Sequence, residues 1–131
     1  MRASNRRIGN QFEREFCETL ASYGFWVHNL AQSDLGQPAD MIAVREGRAY
    51  LIDCKACDGR YFSRNRIEEN QMCAMSVWKE CYNGDGWFAI RIMGEVFMIS
   101  LSSLVAEQKV NLDYEWFLEH AFAFREWIDK S

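Results

Sequence analysis

No apolar run in this 131-residue chain approaches the roughly 18 residues that a membrane-crossing helix needs, so no membrane span is expected. No apolar signal-like segment follows Arg2, Arg6 and Arg7. The cysteines number five, an odd count without secretory context. Reduced thiols in a cytosolic compartment are therefore expected, not a disulfide framework. Repeats, low-complexity tracts and linkers are lacking, so 1–131 is read as one domain, with 102–131 as a helical C-terminal extension. A surplus of positive charge is also missing: the net charge is −4, which argues against a simple nucleic-acid coat protein. What is present is a hydrophobic fraction of 49%, enough for one good core.

The charge is unevenly spread. Residues 1–66 sum to +2 and residues 67–131 to −6. Arginines cluster at Arg2, Arg6 and Arg7 and again at Arg60, Arg64 and Arg66. A locally basic face on an acidic protein can bind a phosphate backbone, although either cluster alone is also what a solvated surface looks like.

The stretch Pro38–Lys55 organises the rest. Two apolar runs flank Arg45-Glu46-Gly47-Arg48, which reads as a hairpin. A two-residue turn at Glu46-Gly47 sets Ile42 opposite Leu51 and Asp40 opposite Asp53, with Lys55 on the same face. A three-residue loop with Gly47 left-handed is the alternative, and it slips the register by one. In the first register two carboxylates and an ammonium converge at one end of an apolar hairpin. Opposed like charges are unfavourable unless a proton or a cation lies between them. Hard oxygen ligands suit Mg²⁺ or Mn²⁺. The plainer reading is a partly exposed strand end with an ordinary Asp–Lys pair.

Along the chain, Gly9, Phe12, Phe16, Leu20 and Tyr23 mark a helix over 6–23, ended by Gly24. Glu13 sits beside this apolar stripe, where an acid is out of place unless it reaches solvent. Phe25–Leu30 reads as a strand, and its His28 is given no site role. The polar loop 31–37 contains Ser33. Residues 56–63 read as a loop, and Asn65 as the N-cap of a helix over 66–82 whose apolar stripe is interrupted by Gln71. Residues 87–101 read as a hairpin around Gly94. A short helix follows over 102–108, then an aromatic amphipathic helix from Asp113. The result is an α/β fold with a mixed five-stranded sheet flanked by helices, in the order αβββαββ plus a helical tail. Glu13, the Asp40/Asp53/Lys55 group and Gln71 all break apolar patterns, and such breaks mark candidate sites.

Gly9-x-x-x-Glu13, Asp40 and Asp53-Cys54-Lys55 together resemble the PD-(D/E)XK nuclease superfamily, whose fold is restriction-endonuclease-like. Within it, Gly9-Asn10-Gln11-Phe12-Glu13-Arg14-Glu15-Phe16 is similar to the first helix of Holliday junction resolvases of the RecU and archaeal types. Phe62-Ser63-Arg64-Asn65-Arg66-Ile67-Glu68-Glu69-Asn70-Gln71, then Met75, and Gly86-Trp87-Phe88-Ala89-Ile90-Arg91 are similar to later RecU segments. The resemblance covers residues 5–101. Two departures stand out: Ala39 separates Pro38 from Asp40, and no RecU-like stalk insertion is present.

The resemblance implies a Mg²⁺-dependent endonuclease acting on four-way or other branched DNA, with Mn²⁺ able to substitute. It would work as a homodimer in the cytoplasm of a bacterial or phage-infected cell. Glu13, Asp40, Asp53 and the Cys54 carbonyl would hold the metal. Lys55 would position the attacking water, and Gln71 would orient Lys55 or a water. Arg2, Arg6, Arg7, Ser33, Arg60, Arg64 and Arg66 are the candidate DNA contacts, and the aromatic tail from Tyr114 to Trp127 is a candidate dimer patch. The alternatives are another endonuclease of this superfamily acting on duplex DNA, a non-cleaving DNA-binding module, or a metal–thiolate module built on Cys54, Cys57, Cys73 and Cys81.

Overall fold

The computed structural model describes residues 5–30 and 38–131, with side chains from residue 9 onward. The first helix, α1 (Asn5–Ser22), buries Phe12, Phe16 and Leu20 on one stripe. It ends where Gly24 takes a left-handed φ of 89°. The Gly24 N–H then reaches the Ala21 carbonyl and the Phe25 N–H the Leu20 carbonyl, which satisfies carbonyls the helix itself leaves open.

Strand β1 (Trp26–Asn29) leads to β2 (Met41–Arg45) and β3 (Arg48–Ala56). The β2–β3 turn is the two-residue form, with Glu46 at φ 52° and Gly47 at φ 79°. Arg45 pairs with Arg48 and Ile42 with Leu51, so the first of the two sequence registers holds. Glu46 adopts the left-handed region although it is poorly suited to it; the twist match of such turns to a hairpin outweighs that local cost.

A short strand, β4 (Tyr61–Ser63), and one 3₁₀ turn (Arg64–Arg66) precede α2 (Glu69–Trp78). After a wider final turn come β5 (Trp87–Ile92), β6 (Glu95–Ser100) and α3 (Leu101–Ala106). The chain closes with β7 (Asn111–Asp113), α4 (Tyr114–His120), β8 (Phe122–Ala123) and α5 (Phe124–Lys130). The main sheet runs β1-β2-β3-β5-β6-β8, and β4 pairs with β7 apart from it. Among the described residues only the β3–β5 pair is parallel; the crossover between them carries α2.

Helices cover both faces of the sheet. On one face α1 and α5 pack Phe12, Phe16, Leu20, Trp127 and Ile128 over Met41, Ala43, Ile52, Ala89 and Met98. On the other, α2, α3 and α4 pack Met75, Leu104 and Phe117 over Leu51, Phe88, Ile90 and Phe97. Each fully buried large apolar side chain contributes roughly 1.5–3 kcal/mol. The approach of α2 is close: a Cβ on Gly86 would stand 2.6 Å from the Met75 Cβ.

Four expectations need correction. Among the described residues the sheet has six strands, because Phe122–Ala123 adds to β6. A two-residue strand is too short to show a period. The segment 102–131 is not simply helical, since it supplies β7 and β8. Trp116, Phe117 and Trp127 are buried in the core and so are not available as a dimer patch. Lastly, α2 starts later than expected. Its N-cap is Glu68, which forms a reciprocal capping box with Gln71 in place of the expected Asn65–Glu68 pair. Among the described residues no helix is long and apolar enough to cross a membrane.

Candidate active site

The site forms where β2 begins. The Asp40 N–H bonds the Ile52 carbonyl at 3.1 Å, although Ile52 already pairs with Met41. Two residues thus oppose one, as in a β-bulge, a device that re-aims a side chain. The Asp40 carbonyl accepts the Leu30 N–H at 2.9 Å, so the backbone here is tied to both neighbouring segments. The Asp40 side chain then takes the place of the missing strand. Its Oδ2 accepts the Cys54 N–H at 2.8 Å.

Asp53 lies on the central strand with only 2% exposure. Its carboxyl is in hydrogen-bond contact with that of Asp40. Lys55 Nζ stands 3.1 Å from Asp53 Oδ2. The approach is off the angle of a hydrogen bond, so this buried oxygen has a charge partner but no hydrogen-bond donor. Burial pushes the Asp53 carboxyl up to about 7, with the Asp40 charge adding to the rise and Lys55 opposing it. Burial likewise raises Asp40 to about 6; the Cys54 N–H lowers it, and the Glu13 charge raises it further. Two buried acids in contact hold one proton between them near neutrality, or a cation in its place.

Glu13 approaches from α1 and is half-buried. Its Oε1 accepts the Asn29 side-chain N–H at 3.2 Å. Burial raises its carboxyl above the usual range, the Asn29 bond pulls it down, and the Asp53 charge adds a smaller rise. Among the described residues no three of the His, Cys, Asp and Glu side chains converge into a metal cage. Two carboxylates meet, and Glu13 stands nearby under the hold of Asn29. Two acidic ligands are what a Mg²⁺ ion usually takes from protein, the remainder being water and substrate oxygens. The donor set and the orphaned Asp53 oxygen fit such an ion.

The other expected residues are placed as follows. Gln71 is buried at 4% exposure, and its Oε1 accepts the Glu68 N–H at 3.2 Å. Helix capping therefore accounts for much of its polarity. The Cys54 thiol points into the face covered by α1, and burial raises it well above the ordinary thiol range. Cys73 and Cys81 are exposed, and none of the four candidate thiols joins a metal cluster, so the thiolate module is overturned.

The central arginines are anchored to the protein. Arg60 pairs with Glu115 at 3.0 Å, and Arg64 Nε donates to the Lys109 carbonyl. Arg66 donates to the Ala56 carbonyl at 2.9 Å and lies over the Phe62 ring. This sets a guanidinium at the end of β3, just past Lys55. Arg2, Ser33 and the side chains of Arg6 and Arg7 fall outside the described residues. Asn29 was not anticipated. A lone Asn at a strand end carries no pattern, and only the fold brings it against Glu13 and Cys17.

A family model described as "Archaeal holliday junction resolvase (hjc)" matches residues 4–131. The chain belongs to the archaeal Holliday junction resolvase (Hjc) family. A relative, "Crossover junction endodeoxyribonuclease Hjc" of Methanocaldococcus jannaschii, is 31% identical over 94 residues. That match takes in 72% of this chain and spans 66% of the relative's length. The solved structure of Archaeoglobus fulgidus Hjc, "a Holliday junction resolvase from an archaeal hyperthermophile", superposes with a TM-score of 0.72. It covers 92% of this chain and 99% of that one at 14% identity, a likeness of fold. The Hjc fold is thus the α/β arrangement described above.

Proposed function

We propose that this chain is a structure-selective DNA endonuclease that hydrolyses phosphodiester bonds in branched DNA, four-way junctions above all. The observation that carries the reading is the buried, mutually destabilising pair Asp40/Asp53 with Lys55 beside it, in a chain of the Hjc family. Asp40 and Asp53 hold a divalent cation, Mg²⁺ or in substitution Mn²⁺, with the Cys54 carbonyl and Glu13 as further oxygen ligands. When bound, such an ion polarises the scissile phosphate and lowers the pKa of a bound water.

Lys55 presents its ammonium to the attacking water and to charge growing on the phosphoryl oxygens. The Gln71 oxygen accepts the Glu68 N–H in the helix cap, so its NH₂ end, a donor, is the part that orients a water, and only the second lone pair of that oxygen can accept from Lys55. Asn29 fixes the reach of Glu13. Arg60, Arg64 and Arg66, with Arg2, Arg6, Arg7 and Ser33, contact backbone phosphates, which position the protein without reading sequence. A homodimer places two such sites on the two symmetric strands of a junction.

The test is incubation of the purified protein with a synthetic four-way junction and a linear duplex of matched sequence, with and without Mg²⁺. Paired nicks near the crossover, only with the cation and only on the junction, support the reading. Equal cutting of the linear duplex moves the assignment to a general nuclease. No cutting of either leaves a DNA-binding module.

A further inference from the structure

One surface feature lies outside this chemistry. On β1, Trp26 and His28 stack with ring centroids 5.7 Å apart and planes 7° from parallel. Trp26 is 61% exposed on the edge strand of the sheet. Tyr61 and Tyr82 are also open to solvent, so exposure alone marks nothing; what sets Trp26 apart is its ordered stack and the face it shares with the acids.

The strand pattern fixes which way the pair points. Val27 joins the core beneath α1, and Asn29 bonds Glu13 and Cys17 on that helix. Successive side chains alternate, so Trp26 and His28 lie on the opposite face. Their neighbours across β2 are Val44 and Ile42. Ile42 pairs with Leu51, and Asp53 is two residues further along the same face of β3. The stack and the acid pair therefore share one face. Over β5 and β6 that face is covered by α2 and α4 through Met75 and Phe117, but the cover does not extend to Trp26. Counting two strand spacings and two to four residues, the rings stand roughly 12–16 Å from Asp53. That is a few nucleotides along a strand whose phosphate sits at the acids.

We infer that the Trp26–His28 stack is a platform for an unpaired base of the DNA, a few nucleotides from the scissile phosphate. This deepens the branched-DNA reading and rests on it. His28 lies parallel to the indole and helps to hold the ring in place, while most of Trp26 stays exposed. Ordering the ring in advance removes part of the entropy cost of binding. Base–aromatic stacking tolerates any sequence, because every base has a π face. Bases inside a duplex are already stacked on each other, so the platform engages only bases freed at a branch or gap. The selectivity is for structure, without base-edge contacts.

The test uses the full chain in EDTA, so that binding is read without cutting. Three probes are compared: a four-way junction, a linear duplex, and the same duplex with a gap of unpaired thymines. Trp26→Ala should weaken junction and gapped-duplex binding roughly 5- to 150-fold and leave linear-duplex binding within about two-fold. Trp26→Phe should restore most of the loss, and 2-aminopurine placed in the gap should be quenched by wild type but not by Trp26→Ala.

An equal loss on all three probes, or no loss on any, overturns the proposal. So does a Trp26→Ala protein whose lost affinity follows the dispersal of a dimer in sedimentation, since the ring would then face a second copy of this chain. Wild type that binds the junction no more tightly than the linear duplex overturns the branched-DNA reading. In that case a Trp26→Ala loss confined to the gapped duplex still supports the platform.

Discussion

The Asp40 carboxylate stands in for a strand: its Oδ2 accepts the Cys54 N–H at 2.8 Å, where β3 has run past the start of β2. One side chain thus has two tasks, completing the sheet and offering an oxygen to a cation. Two substitutions should separate them. Asp40→Asn keeps a side-chain oxygen that can accept the bond, so the fold should hold while cutting is lost. Asp40→Ala leaves the N–H unpaired and should cost a further ~1–3 kcal/mol in denaturant unfolding. Equal stability of the two variants would mean that the bond carries no structural weight.

The raised carboxyls predict a pH dependence of stability in the metal-free protein. An unfolded Asp titrates near 3.9, whereas folded Asp40 and Asp53 are pushed up to about 6 and about 7. Between those limits the folded state binds more protons than the unfolded state, so the contribution of this pair falls as pH rises from about 4 to about 7. In EDTA, wild type should lose on the order of 1–3 kcal/mol relative to Asp53→Asn across that window. Mg²⁺ should restore stability at the upper end, where it replaces the proton. Thermal unfolding of both proteins at pH 5 and pH 8 checks this. Stability of wild type that rises relative to Asp53→Asn across the window contradicts it.

Asn29 should act through Glu13. Removing its amide in Asn29→Ala frees a half-buried carboxylate that this amide holds at 3.2 Å. The Mg²⁺ concentration for half-maximal cutting should rise roughly 10- to 100-fold, as for other residues that orient metal ligands. The maximal rate should change less. An unaltered Mg²⁺ curve would remove Asn29 from the site.

These residues show what a sequence can and cannot reveal. The shared face of Asp53 and Lys55 near the start of β2 was legible because strand alternation and hairpin pairing are short-range rules, and the register from Met41 to Arg45 follows them. Asp40 is not paired directly with Asp53 as expected, since it lies one residue before that register, at a bulge on Ile52 that those rules do not foresee. Glu13 was legible as an acid beside an apolar stripe. Asn29 was not, because its importance depends on a contact sixteen residues back in sequence, made only once α1 lies across the sheet. Gln71 was noticed because it interrupts an apolar stripe, yet its first partner is the local helix cap, a bond available to any Gln three residues past an N-cap. Strands β4, β7 and β8 are two or three residues long, below the length at which periodicity speaks, and pairing partners far along the chain define them. The aromatic tail looked like a docking patch because amphipathicity alone does not say whether the partner is the same chain or another.

The arginines after β3 predict a salt effect. DNA binding should weaken steeply with salt as phosphate contacts release counterions. Replacing Arg60, Arg64 and Arg66 together by Ala should reduce the slope of log affinity against log salt by about 2–3. Because Arg66 also holds the Ala56 carbonyl, the triple variant should be compared with Arg60→Ala/Arg64→Ala to separate charge from anchoring. An unchanged slope in both would place the basic face elsewhere, with Arg2, Arg6 and Arg7 the next to test.

In the proposed reaction the Asp40/Asp53 pair does the chemistry. Asp53→Asn tests it most directly, since it removes one charge from the pair and little else in volume. Single-turnover cutting of a four-way junction in Mg²⁺ should fall by at least about 10³-fold, the order expected when a group central to transition-state stabilisation is lost. Junction binding in the same protein should be equal to wild type or tighter, because a carboxylate that repels phosphate is gone. Cutting at the wild-type rate by Asp53→Asn would contradict the account outright.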